Sequence, residues 1–440
     1  MPTVEGIVFI PLALFFFFSR PRLLFPLLIV STVFEASSVA SFGKLGIQPY
    51  YCVAILFVIR YLILGASVTR LKSCSFFWPW IAFVAVSWIS ALTFPFIFQG
   101  LPVIDPRIGM EDFILQGPTP LRFQLENIVQ PAFLTLNVLV VFASARGGLS
   151  IAKAHKAFKW SAYLIILIVF LQVSCLLLGL QFPDKLLNNN PGYSVSILSG
   201  IQLRPAGTFT EPSVAGAVLA ALFAVFLWEF IKGKNNLLKA GVAALACLLI
   251  ASTSSLLTVI IVSLLLIFAY PVVRLPWFIR LDRLKRLSVL LISVVLFSAL
   301  LFVPSLRATL LSQTQEKIGS HSAIVRFGAD LYALNLVQQT YGLGVGLGSN
   351  RPSSFVAALL SQVGIGGFAL FICAAWKTLW PLPKEHRWIG MAALGLLLSM
   401  AFGVPDLSLT FLWILFALAA QSKAANMISS PVAFPSKGCD

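Results

Sequence analysis

Two stretches hold the side chains that could do chemistry. "RPAGTFTEPS", Arg204 to Ser213, sets a guanidinium and a carboxylate, Arg204 and Glu211, seven residues apart where an apolar run begins. "YGLGVGLGSNRPSSF", Tyr341 to Phe355, follows a string of glycines with Arg351 and Ser353, and just upstream "EKIGSHSAIVRFGAD" carries His321 and Arg326. Guanidinium groups suit two-pronged binding of phosphate oxygens, so Arg326 and Arg351 could clamp a diphosphate, or pair with Asp330, Glu316 or lipid headgroups. Pro212 and Ser213 mark a helix start, whose free N–H groups favour an anion. Glu211 at that start either caps the helix and steadies Arg204, or works on a substrate. His321 has the reference pKa of a general base, or is incidental.

The glycine string lacks the GK[ST] ending of a phosphate loop and the GxGxxG spacing of a dinucleotide site. It reads as a tight turn whose backbone N–H groups, around Gly344 and Gly346, could cradle a diphosphate arriving within a membrane. A third polar stretch, "PLRFQLENIVQ", adds Glu126, Asn127 and Gln130 at the start of another apolar run. No DxD, HExxH or His/Cys cluster is present, so neither a metal nor another cofactor is expected.

The elements that must position these groups are membrane spans. The chain has 440 residues, of which 59% are hydrophobic and only 10% charged, in repeated apolar runs long enough to match the hydrocarbon thickness of a bilayer. About thirteen spans (12–14) are expected, near 5–18, 23–38, 48–66, 77–98, 128–145, 158–180, 212–231, 237–251, 254–271, 287–304, 354–376, 388–402 and 407–421. The first apolar run is preceded by an acid and followed by cations, so it reads as a span and not as a cleaved leader.

The basic residues then sort by side. One face collects 22 of the 31 Lys and Arg against 4 of the 15 acids, a net +18, while the other carries −2, which together make the formal +16. The positive-inside rule puts the basic face in the cytoplasm, with the N-terminus outside and the C-terminus inside. Topology thus explains the charge, and a nucleic-acid partner is not expected. Three of the outward loops, about 99–127, 181–211 and 305–353, are long, and function is usually carried on such loops. None of the six cysteines falls in them, so no disulfide framework or CxxC metal site is read.

"RPAGTFTEPSVAG", "YGLGVGLGSNRPSSFVAALLSQVGIGG" and "LENIVQPAFLTLN" together resemble the membrane-embedded O-antigen ligase and polysaccharide polymerase superfamily of bacteria, over roughly residues 120 to 420. The resemblance implies an all-α, GT-C-like glycosyltransferase: a single polytopic domain in the bacterial inner membrane with its site facing the periplasm. Such enzymes transfer a glycan from undecaprenyl diphosphate to a sugar hydroxyl, without a metal. By that likeness Arg204 and Arg326 would hold the lipid diphosphate with Arg351 assisting, and Glu211 would orient Arg204 or take the acceptor proton. Arg351, Ser353, Gly344, Gly346, Asn127 and Gln130 form the implied substrate-binding set.

Ligases of the superfamily carry a His–Asn pair after the glycine turn, where this chain reads "RPSSF". That departure favours a repeat-unit polymerase over a ligase, unless His321 supplies the base. The expected partners are the lipid-linked donor and acceptor, the bilayer, a chain-length regulator and a flippase. A flippase or transporter is the reading from a different class; it predicts mid-membrane charges and two similar halves, and neither is visible.

Overall fold

Several helices begin where the sequence supplies a start signal. Thr3 caps the first, its hydroxyl accepting from the Gly6 N–H at 3.1 Å. Pro49 and Pro212 sit in first turns, where a missing N–H costs nothing. Ser150 and Ser354 cap two more helices through their side-chain oxygens. The computed structural model describes residues 3–43, 45–64, 74–106, 117–146, 149–191, 198–199, 202–203, 205–272 and 321–429. Arg204 and the expected span 287–304 lie outside the described residues.

In chain order the helices are α1 (Val4–Ser19), α2 (Leu24–Ser31), α3 (Pro49–Val58, continued by a π turn Ile59–Ile63), α4 (Phe77–Ile97), α5 (Glu126–Ala145), α6 (Ile151–Leu177), the one-turn α7 (Asp184–Leu187), α8 (Pro212–Ile231), α9 (Leu237–Ile250), α10 (Thr253–Val272), α11 (His321–Gln339), α12 (Phe355–Leu379), α13 (Arg387–Gly403) and α14 (Thr410–Ser429). Three short antiparallel ladders pair Ala40–Phe42 with Leu45–Ile47, Pro102–Val103 with Thr119–Pro120, and Leu198–Ser199 with Gln202–Leu203.

The protein is mostly helical, and among the described residues α4, α5, α6, α8 and α12 are long and apolar enough to cross a membrane. Five shorter apolar helices accompany them. Large apolar side chains also cover the outside: Phe18, Trp78, Ile97, Leu177, Phe327 and Trp376 are all exposed. A surface of that kind is at home in hydrocarbon, not in water.

The middle of the bundle is α8, enclosed by α9, α10 and α13 and buried along nearly its whole length. Small residues permit this. A side-chain carbon on Gly216 would meet Ser252 and Ser255 of the α10 start under 3.0 Å away, and one on Gly395 of α13 would meet the Ala220 carbonyl at 3.0 Å. A second knot is aromatic: Trp80 of α4 lies edge-on to Phe371 of α12 and Phe416 of α14, and its ring N–H donates to the Thr378 hydroxyl at 2.8 Å.

One expected span is corrected. The second run, 23–38, is helical only to Ser31: the Ser31 and Thr32 hydroxyls donate back to Leu28 and Ile29 carbonyls, and after local turns at Val33, Phe34 and Ser37 the N–H groups of Ala36 and Val39 donate to the Thr208 and Ile47 carbonyls. Within the third long loop lies α11, His321–Gln339. The span expected at 354–376 is α12, long and apolar enough to cross a membrane, with a kink at Gly364, whose φ of 72° is non-helical.

Contacts between loops fall into two sets. At one end the Tyr61 hydroxyl donates to the Pro21 carbonyl, Arg146 Nη1 to the Tyr61 and Leu62 carbonyls, and Lys423 Nζ to those of Lys377 and Trp380. Here too Glu229 is held by Lys234 at 2.9 Å and Lys159 at 3.2 Å. At the other end Ala36 donates to Thr208, Ser38 to Asn189, and Ile104 to Asn350. The loops grouped by their basic residues therefore meet one another at one end, and the three long loops meet at the opposite end.

Candidate active site

The end where the long loops meet is built on a glycine latch. Gly344, Gly346, Gly348 and Gly364 all have positive φ, between 72° and 102°. The string Gly344–Ser349 threads against three helices: a side-chain carbon on Gly344 would strike Ser361 and Gly364 of α12, on Gly346 Ser90 of α4, and on Gly348 the Glu126 carbonyl at 2.5 Å. Glycine is required here for both the turn and the approach.

The N–H groups of this string are all engaged within the protein. Gly344 donates to the Thr340 hydroxyl, Val345 and Gly346 to the Ser361 and Gln362 carbonyls, Leu347 to Ser90 Oγ, Gly348 to Gln362 Oε1 and Ser349 to the Gly346 carbonyl. The diphosphate cradle expected at Gly344 and Gly346 is thus closed by the protein's own acceptors; the glycines dock helices. Asn127 belongs to the same latch. Wholly buried, it donates to the Leu347 carbonyl at 2.9 Å and Ser349 Oγ at 2.7 Å while accepting from the Gln124 N–H. Gln130, half-buried one turn later, makes no hydrogen bond with these groups among the described residues.

Beyond the latch the chain turns through Arg351 into α12. The Arg351 N–H donates to the Ile104 carbonyl at 3.1 Å, which fixes its backbone against the first long loop. Its guanidinium Nη2 stands 4.0 Å from Glu211 Oε1, with the two side chains 50% and 40% exposed. Glu211 is the N-cap residue of α8 but makes no side-chain capping bond; its Oε2 accepts from the Ser213 hydroxyl at 2.9 Å. The carboxylate therefore faces Arg351 and the surface, where a ligand can reach it.

Asp330 is not the partner of either arginine in this arrangement. Its Oδ1 accepts from the Ser353 and Ser354 N–H groups at 2.8 and 3.1 Å, and so anchors the start of α12. Ser353 is engaged there too, its hydroxyl donating to the Arg326 carbonyl at 3.1 Å, so it acts in this scaffold and does not extend towards a ligand. Arg326, exposed on α11, has no ion-pair partner among the described residues, and its Nη1 is 3.9 Å from where a side-chain carbon on Gly403 would stand. Its guanidinium thus lies over the Ser254–Gly403 surface between α10 and α13. Arg204 and the His321 side chain lie outside the described residues.

Two carboxylates that the sequence reading passed over complete the cluster. Glu35 sits in the irregular segment after α2, 4% exposed, with Oε2 accepting from the Thr210 N–H at 3.0 Å. Burial, chiefly, pushes its pKa up to about 7; the Thr210 N–H opposes this, and the charges of Asp406 and Glu211 add to it. Asp406 holds the turn before α14, its Oδ1 accepting from the Ser408 N–H and hydroxyl. The three carboxylates sense one another without closing into a metal-holding group among the described residues. A lone acid inside an apolar run was the available signal for Glu35, by the same reasoning that singled out Glu211.

The arrangement offers a cation beside an accessible carboxylate, and behind them a buried carboxyl poised to exchange a proton near neutral pH. No protein-family model matches the chain, and no curated protein is similar to it.

Proposed function

We propose that the protein polymerises oligosaccharide repeat units carried on undecaprenyl diphosphate, by metal-independent glycosyl transfer at the periplasmic face of a bacterial inner membrane. The reading includes about thirteen spans in a GT-C-like arrangement. The single observation that carries it is the approach of Arg351 to Glu211, on a surface shared with Arg326 and backed by Glu35.

In the reaction an acceptor hydroxyl attacks the anomeric carbon of the donor, the carbon–oxygen bond to the diphosphate breaks, and the diphosphate leaves with the bonding electrons. Arg351 and Arg326, joined by Arg204 as the family likeness implies, neutralise the charge that develops on it. The acceptor proton passes to a carboxylate. Glu211 is the accessible one, and Glu35 can receive the proton from it because its affinity for one is matched to neutral pH.

The test is polysaccharide length in cells carrying Arg351→Ala, Glu211→Gln or Glu35→Gln, with membrane expression checked. Single repeats in place of polymer are expected. Unchanged polymer length in all three overturns the assignment, and long chains accumulating on the carrier indicate a ligase instead.

A further inference from the structure

At the basic end, far from the carboxylate cluster, a cleft of about 350 Å³ is lined by Ser19, Arg20, Pro21, Arg22, Leu23 and Lys153. Three of its six lining residues are cations and none is an acid. Arg20, Arg22 and Lys153 have no ion-pair partner among the described residues, whereas Lys159 and Lys234 at the same end are occupied by Glu229. Sidedness alone asks for cations at this end; it does not ask for three of them on the walls of one cleft.

The backbone adds to the same field. Lys153 stands in the first turn of α6, where the Ser150 hydroxyl caps its N–H, and the Pro21–Leu23 turn leads directly into α2. Both stretches thus stand at helix starts, where the partial positive charge of the helix dipole adds to that of the side chains. A second rank of cations steadies its floor. The Tyr61 hydroxyl that donates to the Pro21 carbonyl feels both Arg22 and Arg60, and Arg146 grips the Tyr61 and Leu62 carbonyls from below. Next to the cleft, α1 presents Phe15 and Phe18, 52% and 75% exposed, in the direction of the hydrocarbon.

We propose that this cleft binds the phosphate ester headgroup of an anionic phospholipid, with its acyl chains lying along the exposed face of α1. The site is separate from the carboxylate cluster and does not depend on the glycosyl-transfer reading. A soluble phosphate shares the headgroup's chemistry, so the apolar face beside the cleft is what selects the lipid.

The experiment is native mass spectrometry of the purified, delipidated full chain, titrated with phosphatidylglycerol, phosphatidylcholine or inorganic phosphate. Wild type should retain phosphatidylglycerol over phosphatidylcholine, and R20Q/R22Q/K153Q should lose about tenfold or more of that affinity. A control, K156Q/K239Q/K384Q, removes as many charges from the same end without touching the cleft and should keep wild-type binding. Equal loss in both variants, or no loss in the first, overturns the proposal, as does binding of inorganic phosphate with no preference for the anionic lipid. Five of the six side chains are exposed and Lys239, over the Tyr163 ring, is half-buried, so thermal unfolding of both variants is measured alongside to separate lost binding from lost fold.

Discussion

Arg351 and Glu211, from opposite halves of the chain, face each other across 4.0 Å at the end of the bundle where the long loops meet. Both are roughly half exposed, so water screens the pair and its contribution to stability is small. A double-mutant cycle of Glu211→Gln and Arg351→Gln, read by thermal unfolding in detergent, should give a coupling under about 1 kcal/mol. Polymer length, in contrast, should collapse in either single variant. A coupling of several kcal/mol would make the pair a structural strut.

Glu35 makes stability depend on pH in a definite direction. A carboxyl whose folded pKa is raised from 4.5 to about 7 binds more protons folded than unfolded across that window. Its favourable contribution is full below the lower value and is lost as pH rises through the upper one. The loss amounts to about 3 kcal/mol. Glu35→Gln keeps an acceptor for the Thr210 N–H without the charge, so it should raise the unfolding temperature at pH 8 and leave it nearly unchanged at pH 4.5. An equal effect at both pH values would show that Glu35 does not titrate in this window.

Gly348 allows no side chain. With φ at +87° and the Glu126 carbonyl 2.5 Å from an added carbon, Gly348→Ala combines backbone strain with a backbone clash. It should cost about 3 kcal/mol or more and reduce recovery from membranes. Gly366→Ala, on the exposed side of α12 with nothing within 4 Å, should be neutral or stabilise by about 0.5–1 kcal/mol. Comparing the two separates the requirement for glycine from mere sensitivity of the region.

Asn127 distinguishes a ligand-binding role from a latch. Asn127→Leu removes donors to Leu347 and Ser349 and leaves the Gln124 N–H without its acceptor, so the substrate-free protein should lose about 2 kcal/mol of stability. A residue that served only substrate would leave the substrate-free unfolding temperature unchanged.

Much of the fold was legible because the apolar runs and their punctuation are local. The run read at 212–231 is α8, fixed at its start by Pro212. What was not legible is which apolar helix lies at the centre. Hydrophobicity all round suits a helix in lipid as well as one in a core, and α8 and α6 look alike by composition although only α8 is enclosed. The site divides the same way. Arg351 and Glu211 stood out as charges in an oily chain, but their approach depends on distant segments. Ser353, Gly344 and Asn127 looked available for a ligand because nothing local reveals that Asp330, Ser361 and Leu347 already engage them. Glu35 was absorbed into a run of apolar residues whose helix ends at Ser31.

The carboxylate cluster draws Glu35 from before the third helix, Glu211 from the middle of the chain, and Arg351 from behind the glycine string. A nascent chain therefore emerges with its parts out of order in time. Until the α12 segment has been threaded into the membrane, Glu211 has no cation beside it and the string has no carbonyls of Ser361 and Gln362 to close on. The pair and the closed string therefore form only once the last third of the chain has been made.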